Sequence, residues 1–136
     1  MWTEPKTNWT DTDYFNYTDY NRIKNNIEYL RSLSLDLYLD FPYEDMGDDK
    51  TGYADFPYAD EFNVMENNLE SMKNNTFGFY FTDKKQWYDN QPTPNYEDLN
   101  RIESACLKMY DGFNNETRAK GRLSVRLGYQ KGMVKV

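Results

Sequence analysis

The sequence predicts a mainly α-helical protein, and three observations carry that prediction. Apolar residues recur at helical spacing in three stretches, aromatic residues precede each stretch, and a basic segment with alternating apolar residues closes the chain. We therefore expect three short repeated helical units with aromatic lead-in loops. A minor β element and an extended basic C-terminal arm or hairpin complete the predicted fold.

The composition indicates one folded domain with a polar surface. A length of 136 residues suits a single domain with a modest core. The mean hydropathy of -1.02 would by itself suggest disorder. However, 18% of the residues are aromatic, and such side chains bury much area while keeping a polar edge. We expect a folded protein that an interface completes.

The three units become visible when the chain is compared with itself. Residues 16–23 and 95–102 share the pattern Asn-Tyr-x-Asp-x-Asn-Arg-Ile, and residues 57–65 are a looser copy. We predict units at about 8–33, 53–75 and 87–112, within one acidic domain that spans residues 1–117. The residues that define the repeat are Trp9, Asp19, Asn21, Ile23, Tyr53, Asn63, Met65, Trp87, Asp98, Asn100 and Ile102.

Alignment on Asn21, Asn63 and Asn100 places apolar residues at the same positions in all three units. They stand one residue before the Asn and two, six and nine residues after it, which is one stripe of an α-helix. The twelve residues are Tyr20, Phe62, Leu99, Ile23, Met65, Ile102, Ile27, Leu69, Cys106, Leu30, Met72 and Met109. The sequence therefore predicts one core shared by three helices.

Two of the helix starts carry a capping pattern. Asn16 and Asn95 each precede an Asp by three residues, Asp19 and Asp98, as in a capping box. An aromatic anchor stands upstream of each unit: Trp9, Tyr53 and Trp87. The predicted unit is an extended lead-in with an aromatic anchor, a capped turn and about three turns of helix.

The repeated Asn has two interpretations. Its amide group could bind a ligand or the backbone of a partner. More often, such an Asn ties a neighbouring lead-in loop to the helix through side-chain hydrogen bonds. We favour the second, architectural interpretation.

The β element is predicted at residues 76–81, where aromatic residues nearly alternate before a polar turn. Residues 33–39 alternate as well. The spacing of Leu30, Leu33 and Leu37 would equally extend the first helix, and periodicity alone does not decide between the two.

The residue types that would support catalysis are scarce. The chain has no His, and its single Cys106 lies on the predicted apolar stripe, which favours a core thiol over a nucleophile. An acidic connection fails the spacing of an EF-hand, so a solvated loop is favoured over a calcium site. Its carboxylates are Asp45, Asp48, Asp49, Asp55 and Asp60. We expect no catalytic residue, no metal, no cofactor and no enzymatic activity.

Charge is divided between the body and the tail. Residues 1–117 carry 10 basic and all 23 acidic residues, a net charge of -13, whereas the tail at 118–136 carries 6 basic residues and no acidic ones. Apolar and polar residues alternate in the tail, which predicts either a hairpin on its own body or an arm added to a neighbour's sheet. The expected assembly residues are Arg118, Arg122, Leu123, Val125, Arg126, Leu127 and Tyr129.

Partners of other classes are not indicated. A short tail without interleaved aromatic residues on an acidic body argues against nucleic acid. No apolar run approaches the roughly 20 residues needed to span a bilayer, and no signal sequence is visible at the first residues. We expect an intracellular protein that binds other proteins.

Residues 5–9, 13–15 and 19–30 carry a resemblance. Pro-Lys-Thr-Asn-Trp, Asp-Tyr-Phe and Asp-Tyr-Asn-Arg-Ile-Lys-Asn-Asn-Ile-Glu-Tyr-Leu resemble a segment of virion and tail-associated proteins from phages and prophages of low-GC Gram-positive bacteria. The resemblance is strong over about the first 30 residues, and the repeats extend it more weakly to about residue 112. The basic tail is not part of it.

The resemblance implies a virion structural or adaptor protein of the tail, baseplate or fibre attachment region. Such a protein would act through contacts with other virion proteins in a homo- or hetero-oligomeric assembly, in the host cytoplasm during assembly and then in the virion. It transfers no catalytic residues. The alternative is a small acidic inhibitor that mimics nucleic acid and binds a basic host enzyme, which a net charge of -7 permits. The repeats and the basic tail argue against this alternative.

Overall fold

The computed structural model of the chain describes residues 2–52, 59–76, 85–89 and 94–129, with side chains as far as Ala119. These residues form three helices, α1 (Tyr17–Leu37), α2 (Ala59–Asn75) and α3 (Tyr96–Tyr129). Within these ranges no residue belongs to a strand, and the prediction of a mainly helical protein is confirmed. None of the three helices combines the length and the apolar character that a membrane span requires.

The two stretches with alternating residues have different outcomes. Residues 77–81, most of the predicted β element, lie outside the described residues, so that element stays a prediction. Residues 33–37 are helical, because α1 continues to Leu37 and keeps the three- and four-residue spacing of its leucines. The helix ends where Tyr38 becomes extended and its N–H donates to the carbonyl of Ser34 at 2.7 Å.

Both predicted caps are present at the helix starts. The backbone N–H of Asn16 donates to the carboxylate of Asp19 at 2.9 Å. At α3 the exchange is reciprocal, because the N–H of Asn95 donates to Asp98 at 3.1 Å and the N–H of Asp98 donates to the Asn95 side chain at 3.0 Å. These bonds satisfy backbone donors that a helix leaves unpaired in its first turn.

The helices α1 and α3 run parallel. Near their starts, the guanidinium of Arg22 in α1 pairs with Glu103 in α3. Just beyond the end of α1, the Tyr38 hydroxyl donates to Glu116, which lies farther along α3 in the same direction. Contacts at two levels in the same order require parallel axes.

The second helix completes the bundle beside both others. Arg101 of α3 pairs with Glu66 of α2 at 2.5 Å, at the same level as the contact between α1 and α3. The rings of Tyr20 and Phe62, each the fourth residue of its helix, meet edge to face with centroids 6.1 Å apart. All three helices therefore start at one end of the bundle.

The core lies between the three helices and contains all twelve residues of the aligned apolar stripes. Trp9 and Phe41 from the segments outside the helices, and Ala105 and Phe113 from α3, complete it. The stripe residues at the core centre are fully buried, among them Ile27, Leu69 and Met109. The helical spacing therefore placed the core correctly.

The predicted extended arm or hairpin is wrong for residues 118–129, which continue α3 as helix. Alternation of Leu123, Val125 and Leu127 fits a strand, but Leu123 and Leu127 also share a helix face. Extension of an existing helix needs no new nucleus, which favours the helix. It does so even though Gly121 and Gly128 each cost about 1 kcal/mol in a helix interior. Residues 130–136 lie outside the described residues.

Substitution in the core tests the helical arrangement. Ile27→Ala and Leu69→Ala should each lower the free energy of unfolding by about 2–5 kcal/mol, because both side chains are fully buried and their loss leaves a cavity. Leu39→Ala is the matched control, since Leu39 is 90% exposed and its removal should change stability by about 0.5 kcal/mol or less. The measurement is urea denaturation, and equal small effects at all three positions would contradict this core.

Candidate functional site

Three asparagines hold extended segments of the chain against the helices. Each side-chain amide accepts a hydrogen bond from the N–H of one residue and donates to the carbonyl of the same residue, at 2.7–3.0 Å. We call this arrangement an asparagine clamp. The pairs are Asn21 with Lys50, Asn63 with Trp87, and Asn100 with Trp9.

The clamps follow the arrangement of the architectural interpretation, with one difference. In each clamp the Asn binds the backbone of a lead-in segment, and it is the fifth residue of its helix. Tyr53, the expected anchor of the second unit, lies outside the described residues, and the backbone held by Asn21 is that of Lys50. Lys50 therefore occupies the place that Trp9 and Trp87 occupy in the other clamps.

Two further clamps lie one and a half turns along the helices. Asn26 binds the N–H and carbonyl of Thr3 at 2.9 and 2.8 Å. Asn68 binds the same groups of Glu44, both at 2.8 Å. Each is the tenth residue of its helix and about 1% exposed. In α3 the tenth residue is Ala105, which has no amide group.

Each lead-in segment lies between two helices. Residues 3–9 are clamped to α1 at one end and to α3 at the other. Residues 44–50 are clamped to α2 and then to α1. Residues 85–87 contact α3 through an ion pair of 2.5 Å between Lys85 and Asp98, and α2 through the clamp at Trp87. The three segments therefore fill the three grooves of the bundle.

A buried carboxylate organises the groove between α1 and α3. Glu103 is 1% exposed and accepts hydrogen bonds from the Trp9 indole, from the N–H of Lys6 at 3.0 Å, and from Nε and Nη2 of Arg22 at 2.9 Å. Arg22 also donates to Asp19 at 2.8 Å. Burial opposes the charge of Arg22, but the bonds to Glu103 and Asp19 outweigh it and raise the pKa of the guanidinium.

The groove between α2 and α3 contains the same set of groups. Glu66 is fully buried, accepts from the indole of Trp87 at 2.6 Å and pairs with Arg101 at 2.5 Å. Arg101 and Glu66 stand in their helices where Arg22 and Glu103 stand in theirs, one and three residues after the clamp Asn. A tryptophan, an arginine and a glutamate thus join each of these two helix pairs.

The groove between α1 and α2 has different chemistry, because α1 carries Lys24 at the position of the two buried glutamates. The ammonium of Lys24, 3% exposed, donates to the carbonyl of Gly47 at 2.9 Å and pairs with Asp49 at 2.7 Å. The hydrogen bond from Lys24 lowers the pKa of the Asp49 carboxyl. Lys50, in place of a tryptophan, pairs with Glu61 of α2 at 2.7 Å.

The acidic connection contributes to folding at two of its carboxylates. Asp49 pairs with Lys24, and Asp45 accepts from the N–H of Gly47 at 2.9 Å in a tight turn where Gly47 has a φ of 75°. Asp48 is exposed, and Asp55 lies outside the described residues. Among the described residues, no three Asp, Glu or Cys side chains are grouped as a metal site would require.

The buried polar groups between the helices are engaged in structural contacts. Glu103 and Glu66 face arginines and indole N–H groups, so their charge is neutralised inside the fold. Burial raises the pKa of the Cys106 thiol far above its ordinary value, and the charge of Glu103 adds to the shift. This thiol therefore remains protonated and unreactive at neutral pH.

Beyond the clamps and buried ion pairs, α3 continues as helix past its described core residues. In the part of α3 whose side chains the structure describes, Phe113 is the last fully buried residue. Glu116 is held by Tyr38, whereas Thr117, Arg118 and Ala119 are exposed. Burial and the bond to Glu116 raise the pKa of Tyr38 to about 12. We call residues 117–129 the α3 extension. It contains all the expected assembly residues, of which the structure describes the side chain of Arg118 alone.

An acidic cleft lies on the outer side of α1. It is lined by Glu28 and Arg31 of α1 and by Tyr43 and Asp45 of the following segment. The guanidinium of Arg31 lies 4.3 Å from the centre of the Tyr43 ring. The buried Tyr43 hydroxyl has no hydrogen-bond partner. Burial, followed by the charge of Glu28, raises the pKa of this phenol.

Comparison of the chain with protein-family models, with curated proteins and with solved structures finds no match. The functional interpretation therefore depends on the residues and their contacts.

Removal of a clamp tests its architectural role. Asn100→Ala should lower the free energy of unfolding by about 1–3 kcal/mol, because the N–H and carbonyl of Trp9 lose their partners in a partly buried groove. Asn25→Ala is the control, since Asn25 makes one exposed contact of 3.3 Å to Asp49. Thermal and urea unfolding provide the measurement. An unchanged stability of the Asn100 variant, with loss of binding to a partner, would make Asn100 a recognition residue.

A double-mutant cycle tests the buried ion pair. Arg22→Met should cost about 3 kcal/mol, because Glu103 then keeps its charge in a buried site without its guanidinium. Glu103→Met in the same chain should recover part of that loss, since the unpaired buried charge is removed while the Trp9 indole and the Lys6 N–H lose their acceptor. Additive losses in the double variant would show that the pair is not coupled. The matched variant Glu103→Gln separates charge from shape.

Proposed function

We propose that this protein is a structural or adaptor component of a phage particle, in the tail, baseplate or fibre attachment region, and acts through protein–protein contacts. The resemblance of residues 5–30 to virion and tail-associated proteins gives the proposal its biological setting. Its physical support is the α3 extension, which is helical and consists of residue types suited to an interface. Four basic residues without an acidic one accompany its leucines.

The proportions of the helices support this interpretation. At about 1.5 Å per residue, the 34 residues of α3 span about 51 Å, against about 26 Å for the 17 residues of α2. Among the residues whose side chains the structure describes, Phe113 is the last core residue of α3, and Thr117, Arg118 and Ala119 are exposed. A long helix with leucines four residues apart, Leu123 and Leu127, is stable when a partner covers its apolar face.

We further propose that the three lead-in and helix units are copies of one ancestral unit. The clamps at the fifth residue of each helix support this, as do the two clamps at the tenth residue. So do the two matching sets of tryptophan, arginine and glutamate. In this view, the groove between α1 and α2 diverged from the other two when Lys24 replaced a glutamate and Lys50 replaced a tryptophan.

The alternative of an acidic inhibitor rests on the exposed carboxylates of residues 36–49. Against it stands the α3 extension, whose positive charge would oppose a basic enzyme. Quantitative mass spectrometry of purified particles separates the two. A fixed number of copies per particle supports the structural role. Absence from particles, with synthesis early in infection, would support the inhibitor.

Truncation after Ala119 tests the assembly role of the α3 extension. The shortened chain should keep its melting temperature within a few degrees, because all of the described core residues and the contact of Tyr38 with Glu116 are retained. It should fail to enter particles, because all of the expected assembly residues except Arg118 are gone. Circular dichroism melting and particle incorporation are the two measurements. Normal incorporation would contradict the proposal, and an unfolded product would make the extension part of the core.

A further inference from the structure

We infer that the α3 extension docks into the acidic cleft of a second copy of this chain, so that copies join head to tail. The inference rests on the proposed function, and it names the partner of the extension. It follows from the shape and chemistry of the cleft, from the residue types of the extension, and from the charge of each.

The cleft is suited to a basic side chain. Glu28 and Asp45 line it together with Arg31, and Asp40 pairs with Arg31 at 3.4 Å, so three carboxylates accompany one guanidinium. The Tyr43 hydroxyl is buried without a hydrogen-bond partner, and so is Nε of Arg31. Glu28 and Asp40 each have a long ion pair, to Lys24 at 3.7 Å and to Arg31 at 3.4 Å, and Asp45 accepts from a backbone N–H. An arriving Arg or Lys supplies these carboxylates with a closer, charge-assisted partner.

An apolar strip continues the cleft along α1. Glu28, Arg31 and Leu35 are spaced by three and four residues, so they share one face of the helix. Leu35 is 42% exposed, and Leu39, just past the end of α1, is 90% exposed. Exposed leucines beside carboxylates match a helix that carries leucines beside arginines.

The α3 extension has that composition. Arg122 and Arg126 are four residues apart, as are Leu123 and Leu127, so the four residues occupy adjoining stripes of one helix. The extension carries Arg118 and Lys120 as well, and no acidic residue. Its leucines fit the strip formed by Leu35 and Leu39, and its arginines fit the cleft.

Charge selects the cleft over pairing between two extensions. Two extensions side by side would each bring four cations and no anion, and like charges in contact oppose association. The body carries the opposite charge, a net of -13 from 10 basic and 23 acidic residues. An extension and a cleft on different copies form a contact of unlike surfaces, which repeats from copy to copy and closes into a ring or continues as a filament.

Two variants of the full chain test the inference. Leu35→Lys with Asp45→Asn disables the cleft, and the amide oxygen that this change leaves at position 45 still accepts the bond from the Gly47 N–H. Arg122→Glu with Arg126→Glu disables the extension. Tyr14→Lys, which adds one charge at a site 87% exposed outside the cleft, is the matched control. Sedimentation velocity of each protein alone and of the two variants mixed gives the readout.

We expect the natural chain and the Tyr14→Lys variant to associate, and each disabled variant to remain a monomer. The two variants mixed should form a one-to-one dimer, because one supplies the extension and the other the cleft. Association of the cleft variant by itself would overturn the inference in favour of paired extensions. A monomeric natural chain would also overturn it. If the chain is monomeric but truncation still prevents entry into particles, the proposed function stands and the extension binds a different protein.

Discussion

Hydrogen bonding of the extended lead-in backbone is the constraint on which this fold depends. In an extended segment between two helices, the peptide N–H and C=O groups have no neighbouring strand and little water to bond with. A buried peptide group without a hydrogen-bond partner is costly. Asparagine resolves this because its side chain carries the same donor and acceptor as a peptide group. At Asn21, Asn63 and Asn100 one side chain satisfies both groups of one residue. The grooves can therefore be filled without a sheet.

Parallel packing of three helices adds a second constraint. Their N-terminal ends lie together, so the positive ends of three helix dipoles repel one another. Each first turn contains carboxylates that offset this repulsion: Asp19 in α1, Asp60 and Glu61 in α2, and Glu97 and Asp98 in α3. The acidity of the chain is thus partly a requirement of its architecture. The lead-in segments are equally required, because parallel neighbours need a connection that returns along the bundle.

Sequence reasoning located the features that lie within one helix and missed those that depend on neighbours. The apolar stripes and both caps follow from spacing, and they are present. The clamps at Asn26 and Asn68 were not predicted, because a polar residue at such a helix position is usually a surface residue. The buried glutamates were not predicted, because the arginines that pair with them belong to other helices. In the α3 extension, the apolar residues satisfy a two-residue and a four-residue period at once. The preceding helix decides between them, because each added residue is then a step of propagation, whereas a hairpin needs its own turn and partner.

The groove between α1 and α3 is closed by contacts between residues that lie far apart in the sequence, and this affects how the chain folds. Trp9 meets Asn100 across 91 residues, and Lys6 meets Glu103 across 97. Such contacts raise the contact order and slow folding relative to a helical hairpin bundle. During synthesis the first lead-in has no groove to occupy until α3 has left the ribosome. A nascent chain that stops before residue 100 therefore lacks both partners of Trp9, Asn100 and Glu103.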